Sequence, residues 1–179
     1  IENLLRSFII KHFSISEGVS SWYNQLLDSQ TSNKVNQRKY NENLFSHIEE
    51  GKHLVDTRMW LTDFDVLGKM IYSHSFGNLT SADLIERIYE AENLDELKHI
   101  AHPNIVRYFE SFKDIDFQKK WEYLEPIRHK VAHNGFINLA DYQQALEYLK
   151  ELISFIEEKD NEKINNKVVK ESYVDIEKR

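Results

Sequence analysis

Near the end of the chain the stretch IRHKVAHNGF, Ile127 to Phe136, gathers Arg128, His129 and His133. Imidazole is the side chain that exchanges a proton near neutral pH, and guanidinium is a permanent planar cation with a fork of donors. Side by side they suit proton transfer at a group that gathers negative charge. Other readings of the same residues stand beside this one. His129 and His133 are four apart, the spacing of a two-histidine metal site, but HKVAH lacks the Glu of HExxH and no third ligand is placed by the sequence. Arg128 can equally pair with Glu122, Glu125 or an acid on the last helix, with His133 as a cation at a helix C-terminus.

Spacing constrains how these groups can meet. Five residues of regular helix turn a side chain by about 140° and advance it by roughly 7.5 Å, so Arg128 and His133 do not share one narrow face. A cleft between two subunits, or fraying at Asn134, would let both reach one anionic group. Pro126 is expected to remove a backbone hydrogen bond just before the motif, and a kink there would re-aim Arg128.

The elements that must position this cluster read as helices. Five Gly and two Pro punctuate the chain, and apolar residues recur at three and four, which predicts an all-α protein. Ile1, Leu4, Leu5, Phe8, Ile9 and Phe13 stripe a first helix, with Glu2 and Arg6 as a surface pair four apart. A short segment follows around Trp22, Leu26 and Leu27. The polar stretch DSQTSNKVNQRKYNEN reads as a loop leading into a weakly amphipathic helix through Tyr40, Leu44 and Ile48 to Gly51. Leu54 to about Ser75 reads as helix broken near Asp63 and ended by Gly77-Asn78, and Thr80 with Asp83 caps a helix carrying Leu84, Ile85, Ile88 and Tyr89.

Pro103 interrupts the chain before a short helix over Ile105 to Phe112. Phe117, Trp121, Leu124, Ile127 and Val131 then stripe a helix that stops at Asn134-Gly135. Asn138 and Asp141 cap the next, which runs through Leu146, Leu149, Ile153 and Ile156. These two should form an antiparallel hairpin. Beyond Lys159 the charged tail loses helical periodicity, so residues 1–160 read as one helical domain and 161–179 as a tail, a mobile end or docking segment. Trp22, Trp60 and Trp121 read as core rather than base-stacking platforms. His99 and His102 read as a solvated face or cap, and His12, His47, His53 and His74 have no partner at a telling spacing.

Composition narrows the function classes. The 179 residues, 41% hydrophobic, suffice for one domain with a sizeable core. With no cysteine, disulfides, thiolate zinc sites and thiol nucleophiles are excluded, which fits a cytoplasmic location. No apolar run approaches the roughly 18 residues of a membrane span, and Glu2 replaces the basic cluster of a signal peptide. The chain opens at Ile1 rather than Met, so upstream residues are expected. A net charge of −7 argues against coating nucleic acid by charge alone. Lys113 to His133 nevertheless holds five cations (Lys113, Lys119, Lys120, Arg128, Lys130) against four anions (Asp114, Asp116, Glu122, Glu125).

The segment FQKKWEYLEPIRHKVAHNGFINLADYQQAL, with Arg, a polar residue, three residues and His at a helix end, resembles the C-terminal hairpin of the HEPN superfamily. IENLLRSFI resembles the first helix of several of its branches. The likeness covers roughly 45 residues at the two ends and leaves the middle unassigned. It implies an up-and-down helical bundle with additional peripheral helices, dimerising through the motif helices so that both motifs face a shared cleft. In active members that cleft is a metal-independent endoribonuclease site needing no cofactor. Carried over, Arg128 would bind or polarise the scissile phosphate, His133 would transfer a proton at the ribose 2′-hydroxyl or the leaving 5′-oxygen, and His129 would occupy the polar position. The products would be 2′,3′-cyclic phosphate and 5′-hydroxyl ends. Branches built on a Tyr two residues after the motif histidine are disfavoured by Gly135.

Two functions follow as expectations. One is a homodimeric ribonuclease acting on RNA, the effector of a prokaryotic defence or toxin-antitoxin system, with an antitoxin or additional domain as partner. The other is a non-catalytic RNA-binding or protein-interaction module of the same fold.

Overall fold

The apolar stripe of the N-terminal segment forms α1, Glu2–Ser16, and buries Leu5, Phe8, Ile9 and Phe13. The structure, a computed structural model, describes residues 1–16, 21–45, 57–74 and 80–177. Among them the regular elements are all helices, so the chain is all-α. After α1 come α2 (Ser21–Leu26), α3 (Ser29–Phe45), a 3-10 turn (Thr57–Leu61), α4 (Phe64–Tyr72), α5 (Ser81–Glu90) and α6 (Leu94–Ala101). Then follow α7 (Asn104–Arg107), a second 3-10 turn (Glu110–Lys113), α8 (Phe117–Ala132) and α9 (Leu139–Glu177).

The pair α8 and α9 forms the expected antiparallel hairpin. Contacts show it directly: Tyr123 meets Asp141 and Tyr148, Lys120 pairs with Glu151, and Phe112, just ahead of α8, meets Phe155. As one partner number falls the other rises. Helix α1 runs along α9 in the same direction, since Glu2 pairs with Arg128 near the start of α9 and Lys11 with Asp160 farther along it. On the other side of α8 lies α4. The Phe64 ring stacks on Trp121 at 4.1 Å, and the indole donates to the Phe64 carbonyl at 2.9 Å. Gly68 makes that approach feasible, because a Cβ there would sit 2.3 Å from the Trp121 indole. A helix-interior glycine costs about 1 kcal/mol against alanine, and here the close helix contact offsets it.

The core joins α1, α2, α4, α8 and α9 around Trp22, Trp121, Phe112 and Phe117. Arg6 lies within it rather than at the surface, only 7% exposed, and donates to the Thr62 carbonyl at 2.8 Å. Trp60 corrects the other way. The 3-10 turn, at three residues per turn, puts Met59 inside and leaves Trp60 half exposed beside the Arg6 guanidinium.

Other expectations shift with register. The polar stretch is helical from Ser29, although almost nothing on α3 is apolar, because Val35 and Ser32 are buried and Arg38 ties the helix to Leu61 and Asp63. On α9 the buried face is Ala145, Leu152 and Ile156, with Leu146 exposed, and Val131 at the end of α8 is exposed too. The charged tail, expected to lose helical periodicity, continues α9 to Glu177, and its Glu and Lys residues are good helix formers. The Ile105–Phe112 stretch splits into α7 and the second 3-10 turn. Thr80 and Asp83 form the predicted capping box, yet α5 buries none of its residues. Ile48, Gly51, Leu54 and Gly77-Asn78 lie outside the described residues.

Candidate functional site

The end of α8 is built by the motif itself. His133 is the C-cap residue, and its N–H bonds the His129 carbonyl at 3.1 Å. Asn134 takes the left-handed conformation at φ 53°, Asn134 N–H reaches the Val131 carbonyl, and Gly135 N–H reaches that of Lys130 at 2.7 Å. This 6→1 and 5→2 pair is a Schellman cap, with Asn rather than Gly at the left-handed position. Gly135 is there for closeness, since a Cβ would meet Lys130 at 3.3 Å. Asn138 then accepts from the Asp141 N–H at 2.8 Å and starts α9. The helix end is therefore fixed rather than frayed, and it remains helical through Pro126.

Within this frame His129 and His133 lie one turn apart, ring centroids 4.4 Å from each other, both exposed. Arg128 points to α1. Its Nε donates to Glu2 Oε1 at 3.1 Å, while Glu2 Oε2 accepts from Arg6 Nη2 at 3.1 Å. Glu2 thus bridges a buried arginine and a half-exposed one. Its partner for Arg128 is none of the acids expected from the sequence; it comes from the other end of the chain. Arg6 is held in turn by Asn3 at 2.8 Å and the Thr62 carbonyl. No further hydrogen bond is made by the two terminal nitrogens of Arg128 among the described residues, so that edge of the guanidinium is open.

A cleft of about 470 Å³ opens beside these groups, between the start of α4 and the second half of α8. Arg128, His129 and Lys130 line one side, with Glu125 below them; Asp63, Phe64 and Asp65 line the other. His133 is not among its walls. One chain therefore brings Arg128 and His129 to a shared cleft, while His133, its ring 4.4 Å from that of His129, stands outside the walls. Among the described residues no group of three or more His, Cys, Asp or Glu is arranged to hold a metal ion.

Carboxylates shape the electrostatics of the cleft. Asp65 hydrogen-bonds Lys69 at 2.8 Å and raises the ammonium pKa, with Glu125 adding to the effect. Tyr72 is pushed up to about 12, by burial first and then by Glu122, Asp65 and Glu125. Two other histidines are packed or bonded: His12 lies 5.2 Å from the Phe109 ring, and His74 meets the Ala101 carbonyl; His47 and His53 lie outside the described residues. Sequence reasoning missed the part played by Glu2, for which the only signal was its i,i+4 spacing from Arg6.

No protein-family profile matches the chain, and neither the curated proteins nor the solved structures contain a match to it.

Proposed function

We propose that this chain is a metal-independent endoribonuclease whose site combines Arg128 and His129 of one copy with His133 of a second. The observation that carries the reading is the Glu2 clamp on Arg128. By engaging Nε alone, it orients the guanidinium and leaves the planar pair of terminal nitrogens for bidentate contact with a phosphate. In the reaction the 2′-oxygen attacks phosphorus, its proton passes to a base, and the 5′-oxygen leaves with a proton from an acid. The imidazoles supply these transfers, and Arg128 stabilises the charge on the phosphoryl oxygens.

Support for a second copy comes from the surface around the motif. Val131, Phe136, Leu139 and Tyr142 flank the α8–α9 turn and are all at least half exposed, with Phe136 at 86%. Apolar side chains massed beside a polar site are what an isologous interface covers. The test is cleavage of a mixed RNA pool in chelator, followed by analysis of the 3′ ends. Cyclic phosphate is expected, and an intact pool would overturn the assignment.

A second reading is favoured by one observation. Asp63, Asp65 and Glu125 outnumber Arg128 and Lys130 along the cleft, which weakens attraction for a polyanion. On that reading the fold is a non-catalytic interaction module, and Arg128 with Glu2 is a structural ion pair.

A further inference from the structure

Helix α5 carries an apolar face that the fold leaves uncovered. At about 100° per residue, Leu84, Ile85, Ile88 and Tyr89 fall on one side of Ser81–Glu90, with Glu86 and Glu90 along one edge of that side and Arg87 along the other. None of the helix's residues is buried; Ile85 and Ile88 are half exposed, and Tyr89 is 85% exposed. The adjoining α6 buries none of its described side chains either. Helices this short draw most of their stability from packing such a face. The Thr80–Asp83 box fixes where α5 begins, but among the described residues nothing buries the stripe. Apolar residues massed in this way mark a surface that a partner covers.

Charge selects the partner. From Thr80 to Lys98 six carboxylates stand against two cations. Asp83 is engaged by the cap, Asp95 by Lys98 at 3.2 Å, and Glu96 by Asn93 at 2.8 Å and the Glu92 N–H at 2.9 Å. The carboxylates of Glu86, Glu90 and Glu92 make no hydrogen bond or ion pair among the described residues. A shallow cleft of about 500 Å³ between the end of α5 and α6 continues the acidity, since Glu90, Asp95 and Glu96 outnumber Arg87 in its walls.

We infer that the α5 face docks an amphipathic helix of another protein, one that carries Lys or Arg beside its apolar stripe. The two stripes cover Ile85, Ile88 and Tyr89, while the partner's cations meet Glu86 and Glu90 and reach the α5–α6 cleft. An isologous pair of this chain would instead set one acidic surface against another, and an anionic bilayer would be repelled by the same carboxylates. Docking here does not depend on the nuclease reading.

The test titrates the whole chain with a fluorescent amphipathic peptide of Leu and Lys, and with its counterpart in which Glu replaces Lys, reading anisotropy. The Leu/Lys peptide should bind at least about 10-fold more tightly than the Leu/Glu one. Ile85→Ser/Ile88→Ser should weaken its binding by at least about 10-fold. Glu86→Gln/Glu90→Gln should weaken it by several-fold and reduce its salt dependence. All four side chains are exposed, so thermal unfolding should be unchanged. Carbodiimide should join peptide lysines to Glu86 or Glu90. Undiminished binding by both variants, equal binding of the two peptides, or no binding of either would overturn the inference. So would a changed sedimentation of Ile85→Ser/Ile88→Ser by itself, which would make this face a contact between copies, or binding of anionic vesicles that the same variant loses.

Discussion

Glu2 and Arg128, 126 residues apart in sequence, meet at 3.1 Å and join the two ends of the fold at the candidate site. The carboxylate is itself held by Arg6, which is anchored in the core through Thr62. A chain of contacts therefore runs from buried backbone to the one side chain that would meet a phosphate.

Glu2→Gln should consequently act on both catalysis and stability. The half-exposed Arg128 pair contributes about 0–1 kcal/mol, but the amide also leaves the buried Arg6 guanidinium without its carboxylate, so the thermal midpoint should fall by several degrees. Losing the clamp should slow cleavage by roughly 10- to 100-fold, because small errors in placing a phosphate contact cost that much. Glu2→Asp, too short to reach both arginines, should not restore it. Single-turnover kinetics alongside melting curves would check this, and a large loss of stability with normal turnover would make the clamp purely structural.

How far this was legible in the sequence differs by residue. The α8 stripe of Phe117, Trp121 and Leu124, the Asn138–Asp141 cap and the Thr80–Asp83 box depend on local spacing, and each forms as read. Trp60 escaped because a 3-10 turn replaces the helical phase. Arg6 escaped because its role depends on a carbonyl 56 residues away. The cleft opposite Arg128 was invisible for the same reason, since Asp63 and Asp65 reach it only through the packing of α4 on α8.

That packing can be tested at Gly68. In Gly68→Ala the new methyl would lie 2.3 Å from Trp121 Cδ1, forcing α4 and α8 apart. The strain, about 1–3 kcal/mol, exceeds the roughly 1 kcal/mol that alanine adds to helix propensity. A lower denaturation midpoint is expected, with the fluorescence of buried Trp121 altered. A stabilised variant would show that the two helices do not approach this closely.

Alkaline pH should destabilise the same region. The Tyr72 phenol is pushed up to about 12 by burial and nearby carboxylates, so the fold favours its neutral form. Its stabilising effect is fully present below the ordinary tyrosine value near 10 and is lost as pH rises through about 12. Tyrosinate absorbance should show a late-titrating phenol that Tyr72→Phe removes. A full complement of tyrosines ionising near 10 in the folded protein would contradict it.

A site divided between copies makes a quantitative prediction. Arg128→Ala and His133→Ala should each lose nearly all activity alone, yet mixing them should restore about one quarter of wild-type activity. Random exchange gives about half mixed dimers, each with one intact pair. Sedimentation should show a dimer at tens of micromolar protein. Monomer only, or no recovery on mixing, would place any activity within a single chain.

Most direct is RNA cleavage in chelator by wild type, His133→Ala and the Arg128→Ala/His133→Ala double variant, with 3′ ends analysed and folding checked by thermal melts. The wild type should leave 2′,3′-cyclic phosphate ends, and His133→Ala should cleave more slowly by roughly 10²- to 10⁴-fold with an unchanged melt. Cleavage at the wild-type rate by the double variant, or none by the wild-type chain, would contradict the nuclease assignment.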